Sequence, residues 1–204
     1  MGKFEENFSL KKLNTFGINA KAKFFTEFDS VLELKDILNS NIYKNNKIFI
    51  LGGGSNILLT QDYDGLIMQH KIIGICILED NDNNIIVEVG GGVNWHEFVM
   101  WSVSQELSGV ENLALIPGTV GASPIQNIGA YGMEVKETIH KATALLAIPS
   151  MFNALLNAKS AMASDFESIR FAVSGGEGLP DAVYLGCKEK LQLEINEGYG
   201  LTET

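Results

Sequence analysis

The sequence predicts an α+β fold, on three observations. Two stretches carry helical spacing behind N-cap residues, four apolar β-type runs are divided by polar turn clusters, and the composition changes near residue 139. Of the 204 residues 46% are hydrophobic and 20% charged, enough apolar material for a sizeable core. The expected organisation is one unit over 1–139 and a shorter α/β piece over 140–204.

Ser30 with Glu33 reads as a capping box, and Val31, Leu34, Ile37 and Leu38 recur at helical spacing, which predicts a short helix over about residues 30–40. The runs "KIFILGG", "GLIMQH", "IIGICILE" and "NIIVEVGGG" follow, with "DYDG" and "DNDNN" as turn clusters between them. A second helix is expected from Asn94, with Glu97 three residues on; Trp95, Phe98, Val99, Val103 and Leu107 form its apolar face and Gly109 its stop. From Gly109 to Gly132 the segment "GVENLALIPGTVGASPIQNIGAYG" is long and apolar for a mere connector. Residues 1–139 contain 17 Ile, 14 Asn and 5 Ala, whereas residues 140–204 contain 3, 3 and 9, so the chain changes character near Ile139 and His140. Downstream, Pro149 suits the first turn of a helix over "SMFNALLNAKSAM", and "SIRFAV" and "LQLEI" read as strands.

The formal charge of -10 excludes a nucleic-acid surface, because displacing counterions from a polyanion needs a basic stripe. Small molecules are the expected partners. The two cysteines supply neither a disulfide framework nor zinc spacing, which fits a reducing cytoplasm. "MGKFEENFSLKKLN" lacks the apolar core of a signal peptide, and no run approaches the roughly 18 apolar residues of a membrane span, so no membrane partner is expected.

"ILGGGSNILLT", Ile50 to Thr60, carries the clearest chemistry. A Rossmann loop needs a helix after its glycines, and a β-like run follows here; a Walker loop needs Gly-Lys-Ser/Thr, which is absent. Gly52, Gly53 and Gly54 nevertheless admit positive φ and bring backbone N–H groups close to an anion, with Ser55 and Asn56 adding donors. A tight turn between two strands is the alternative reading. His96 reads as a packed or surface helix residue rather than a catalytic one. His70 and His140 have no partner at metal spacing, and Cys76, flanked by isoleucines, reads as a small core residue. No metal and no catalytic residue is assigned.

Four ordered motifs, "NTFGI" (14–18), "ILGGGSNIL" (50–58), "GGGVNWHEFV" (90–99) and "GVENLALIPGTVGASPIQNIGAYGMEV" (109–135), resemble the N-terminal portion of the UDP-N-acetylenolpyruvoylglucosamine reductase family over roughly residues 10–139. The resemblance implies a cytoplasmic flavoenzyme of peptidoglycan synthesis whose FAD sits in an α+β pair of subdomains of the vanillyl-alcohol-oxidase type. In that family NADPH reduces the flavin, which reduces UDP-N-acetylglucosamine enolpyruvate to UDP-N-acetylmuramate. Carried over, Gly52, Gly53, Gly54, Ser55, Asn56 and Ile57 would wrap the FAD pyrophosphate. Pro117, Gly118, Gly121, Ser123, Asn127 and Gly129 would form a second wall along the flavin, with Thr15 and Phe16 nearby. The family's "YRDS"-like and "GSFFKNP"-like motifs and its C-terminal glutamate do not appear, so this chain is expected to hold the cofactor part alone.

Beyond His140, "ATALLAIPSMFNALLNA", "SIRFAVSGGEGLP" and "EINEGYGLTET" resemble a piece of the AMP-forming adenylating enzymes. That resemblance implies nucleotide contacts through Thr202 and Glu203. The family's lysine-bearing phosphate loop is absent from the chain, and one motif cannot neutralise ATP for acyl attack, so no adenylation is expected. Two alternatives to a flavin reductase therefore stand: an inactive chimera of two gene pieces, and a fragment of an adenylating enzyme.

Overall fold

Side-chain alternation along four strands builds the first sheet and gives it two packed faces. The structure is a computed structural model and describes residues 3–81, 84–125, 127–140, 144–147, 149–158, 161–167, 169, 171–174 and 178–197. Strands β1 (Glu5–Ser9) and β2 (Lys21–Phe28) pair antiparallel. Helices α1 (Val31–Asn39) and α2 (Asn41–Lys44) then lead to β3 (Ile48–Leu51), and β4 (Tyr63–His70) inserts parallel between β2 and β3, giving the order β1-β2-β4-β3. Leu66 and Met68 of β4 pack with Phe28, Leu34, Ile37 and Ile48 under the two helices, while Ile67 turns to the other face with Leu10, Phe25 and Leu51. Ala22 and Phe25 both pack on that second face, and opposite Ala22 to Phe24 the β4 strand carries one extra residue between Tyr63 and Leu66.

The first helix forms as expected: the Ser30 hydroxyl accepts from the Glu33 N–H at 3.3 Å, and the Glu33 carboxylate accepts from the Asp29 N–H at 3.0 Å. Val31, counted in its apolar face, is exposed.

Strands β5 (Ile75–Asp80) and β6 (Ile85–Val89) form a two-stranded antiparallel hairpin with no third strand among the described residues. Ile73, Ile77, Leu78 and Ile85 are consequently exposed. Cys76 is exposed too, which corrects its reading as a core residue: flanking isoleucines bury a cysteine only where another layer covers the strand. Helix α3 (Trp95–Ser104) is capped by Asn94, whose side chain accepts from the Glu97 N–H. It ends earlier than Gly109, because Glu106 takes a positive φ of 59° and the N–H groups of Gln105, Glu106 and Leu107 fold back onto carbonyls of the last turn. Val103 is left exposed.

Strands β7 (Gly129–Ala130) and β8 (Met133–Glu134) form a small hairpin, with Tyr131 and Gly132 both at positive φ as a two-residue turn of this hand requires. Trp95, Val99, Val110, Leu113 and Val135 form one core between α3 and the 110–135 segment.

Strands β9 (Ala144–Ala147), β10 (Phe171–Ser174) and β11 (Ile195–Glu197) form a separate parallel sheet in the order β11-β10-β9, crossed by α4 (Pro149–Asn157) and α5 (Asp181–Lys190). Its core, centred on Phe152, Ala172, Cys187 and Leu191, draws on residues of this stretch alone. A Cβ at Gly186 would press on Leu156, so the glycine lets α5 approach α4. No helix among the described residues is long and apolar enough to cross a membrane.

Candidate functional site

The turn after β3 is held from three sides by backbone. Gly54 sits at φ +65°, and a Cβ there would collide with the Leu13 carbonyl oxygen. Its own carbonyl accepts from the Thr15 N–H at 3.1 Å and the Thr15 hydroxyl at 3.3 Å. Asn14 braces that approach: its buried amide donates to the Leu10 and Ile18 carbonyls and accepts from the Ile18 N–H, closing a rigid loop over 10–18. Phe16, next to Thr15, points into solvent, 66% exposed.

On the other side, an added Cβ at Gly53 would stand 3.1 Å from the Gly118 Cα, and one at Gly52 would stand 3.1 Å from the Thr119 Oγ1 and 3.3 Å from the Ala122 Cβ. The Ser55 hydroxyl donates to the Pro117 carbonyl at 3.3 Å, which ties the two loops together. Gly53 thus lies against Gly118 and Ser55 against Pro117, while Gly52 faces Thr119 and Ala122 and Gly54 faces Leu13. Among the described residues no carbonyl or side chain accepts the N–H groups of Gly53 or Gly54. Asn56 is exposed and Ile57 half-buries its side chain in the core beneath the turn.

The remaining residues of the expected wall serve the segment's own fold. Ser123 is buried and its hydroxyl donates to the Val120 carbonyl at 2.8 Å. Asn127, at φ 41°, accepts from the Lys136 N–H and bonds the Glu134 side chain, which with Lys136 holds that carboxyl below its usual range. Gly129 pairs with Glu134 in the β7–β8 hairpin, where a Cβ would press on the Met133 carbonyl oxygen. Gly121 crosses the Gly91 backbone, its N–H donating to the Gly91 carbonyl at 2.9 Å. Thr202 and Glu203 lie outside the described residues.

The second glycine triplet, Gly90 to Gly92, is built for chain crossings. Cβ atoms at Gly90 and Gly92 would run into the backbone of residues 71–73, and one at Gly91 would run into the His70 ring. His70 stacks on Phe28 at 5.0 Å between centroids, and burial pushes its imidazole below the ordinary value of 6.5.

Three supporting residues were not legible as site residues. The Trp95 N–H donates to the Gly118 carbonyl at 3.1 Å, and its indole Nε1–H donates to the buried Leu113 carbonyl at 2.8 Å. The His96 Nδ1 accepts from the Leu115 N–H at 3.3 Å. Gln69, 7% exposed at the end of β4, donates through Nε2 to the Gly52 carbonyl at 3.4 Å, while its Oε1 is buried without a partner. Among the described residues no three His, Cys, Asp or Glu side chains converge on a possible metal position.

A pyrophosphate-linked cofactor fits this arrangement. N–H groups of Cβ-less residues that no described residue accepts suit the anion, and the Gln69 oxygen offers a buried acceptor to a ligand hydroxyl.

Comparison with known proteins gives two family matches. A family model described as an FAD binding domain matches residues 22–148, and one described as an AMP-binding enzyme matches residues 130–204. The chain is similar to the UDP-N-acetylenolpyruvoylglucosamine reductase of Flavobacterium johnsoniae, with 51% identity over 141 residues, 69% of this chain and 41% of that protein. It is similar to the enzyme of the same name from Pseudomonas putida, with 43% identity over 142 residues, 70% of this chain and 42% of that protein. A crystal structure of the Thermus caldophilus reductase is similar at 22% identity and a TM-score of 0.48, over 66% of this chain and 45% of that one. The chain spans about two fifths of the length of the curated relatives it matches.

Proposed function

The chain belongs to the FAD-binding-domain family, whose cofactor is FAD, and from that premise we propose that it is the cofactor-holding part of a reductase acting on UDP-N-acetylglucosamine enolpyruvate in peptidoglycan synthesis. The observation that carries the reading is the glycine turn: Gly53, where Gly118 closes against it, and its neighbour Gly54 have N–H groups that no described residue accepts.

In the proposed role Gly52 to Asn56 receive the pyrophosphate through backbone donors, and the Ser55 hydroxyl, anchored on the Pro117 carbonyl, ties the turn to the opposite wall. Pro117 and Gly118 wall the cofactor opposite, with Pro117 lowering the conformational entropy lost on closure. Gly121, Ser123, Asn127 and Gly129 act through the fold of that wall rather than by direct contact. When bound, FAD would supply hydride-transfer chemistry between NADPH and the enolpyruvyl double bond. The partners are small-molecule nucleotides in the cytoplasm, with neither nucleic acid nor membrane involved. The charge of -10 and the reductases named above support this.

For residues 140–204 we infer a distinct α/β piece of adenylating-enzyme type that performs no adenylation by itself, a reading the AMP-binding-enzyme match over 130–204 supports. ATP–pyrophosphate exchange with carboxylates should stay at background; measurable exchange would reverse that inference.

Titration of the full chain with FAD, followed by quenching of flavin fluorescence, tests the main proposal. Saturable uptake of one FAD per chain is expected. Absence of quenching and of any FAD-dependent rise in unfolding temperature would sink it.

A further inference from the structure

We propose that His96 is a positioning residue for the cofactor wall, holding Leu115 in left-handed backbone and thereby setting where Pro117 and Gly118 stand over Gly53. This rests on the FAD reading given above.

Leu115 has φ 61°, a region that side-chain-bearing residues enter only under constraint. Its own side chain cannot supply that constraint, since it is 77% exposed. The first turn of α3 does. Trp95 takes the two outer positions of the segment, with its indole N–H on the Leu113 carbonyl and its backbone N–H on the Gly118 carbonyl. His96, the next residue, takes the middle one by accepting the Leu115 N–H on Nδ1 at 3.3 Å. Accepting there requires the neutral imidazole with its proton on Nε2. The Asn94 cap fixes the turn that carries both rings, so residues 94–96 and the 113–118 segment form one unit.

The wall matters because it closes on backbone. Gly118, at φ +132°, lies against Gly53, and the Pro117 carbonyl receives the Ser55 hydroxyl. A change in the backbone at Leu115, two residues before Pro117, moves both contacts together. His96 thereby acts on the cofactor through Leu115.

The test measures FAD affinity for five full-length proteins, the parent chain, His96→Ala, His96→Asn, Leu115→Gly and the double variant His96→Ala with Leu115→Gly, and amide exchange at Leu115 in the FAD-free parent and His96→Ala. His96→Ala should weaken FAD binding about fivefold, the size of one neutral hydrogen bond, and speed Leu115 exchange. His96→Asn, whose side-chain oxygen reaches the place of Nδ1, should recover most of the affinity. In the Leu115→Gly background the loss should shrink, because glycine adopts the left-handed conformation without help. Unchanged exchange at Leu115 in His96→Ala, or an equal loss of affinity in both backgrounds, would overturn the proposal. Exchange is read without cofactor, so a parent chain that fails to bind FAD overturns the FAD reading alone and leaves the clamp tested.

Discussion

Gly53 and Gly118, distant in sequence, approach so closely that a Cβ on the first would stand 3.1 Å from the Cα of the second. Both neighbours are backbone, so neither yields by rotating a side chain. Gly53→Ala should therefore part the two loops by a few tenths of an ångström and weaken FAD binding roughly tenfold, about 1.4 kcal/mol. Because Gly53 is exposed, the urea midpoint should hardly move. Parent-like affinity in a fluorescence titration would refute the close approach as a cofactor feature.

Gly54→Ala should behave differently. The added methyl meets the Leu13 carbonyl oxygen and the residue must keep φ +65°, so two penalties fall on the folded state. A loss of at least about 2 kcal/mol is expected in urea unfolding without any ligand present. A variant as stable as the parent would show that the turn relaxes freely.

Trp95→Phe keeps an aromatic ring in the core around Val99 and Val135, but removes the indole N–H together with part of the ring, which leaves a small cavity. The Leu113 carbonyl is left buried without its donor, at a cost of about 1–3 kcal/mol in denaturant unfolding. FAD affinity should fall as well, since Leu113 begins the wall. A stability loss without an affinity loss would separate the core from the site.

Acid should weaken the fold through His70. Burial lowers its folded pKa below 6.5, so the unfolded chain binds the proton more readily. The stability gained by keeping it neutral is fully present above about pH 6.5 and drains away as pH falls through the folded value. His70→Phe, which preserves a ring against Phe28, should flatten this dependence. Equal losses of urea midpoint between pH 7.5 and 5.5 in variant and parent would assign the acid sensitivity elsewhere.

The two cysteines should titrate as two populations. Cys76 lies exposed on β5, whereas Cys187 is buried with burial pushing its thiol upward. A thiol reagent should label Cys76 in the native protein within minutes and Cys187 only after denaturation. Equal rates would mean that the β9–β11 unit opens readily.

Much of the fold was readable from pattern: the Ser30 cap, the Asn94 cap, β3 to β6 and the strand at 171–174; the run "LQLEI" meets β11 only at Ile195. Strands β1 and β2 were missed because charged residues are spread through "EENFS" and "KAKFFTEF", and Phe24 and Phe25 stand side by side, which blurs the alternation. Helix α5 was missed because its face is interrupted by Gly186, whose value lies in contact with Leu156 and not in its own hydrophobicity. The glycine turn was legible as chemistry, since only backbone approach explains three Cβ-less residues followed by Ser55. The second triplet, Gly90 to Gly92, looked similar and serves chain crossing, a distinction that depends on residues 70–73 and 121 arriving from elsewhere. The work of Trp95 and His96 was invisible for the same reason: their partners lie 18 and 19 residues away across a loop.

The Ser55 to Pro117 bond spans 62 residues of chain. Most of the four-stranded sheet can pair before Pro117 has even been synthesised, yet the anion-binding turn has no opposite wall until α3 and the following loop have folded back. The proposed cofactor site is therefore a late product of folding, and a nascent chain halted before Pro117 carries the whole glycine motif with nothing to close it.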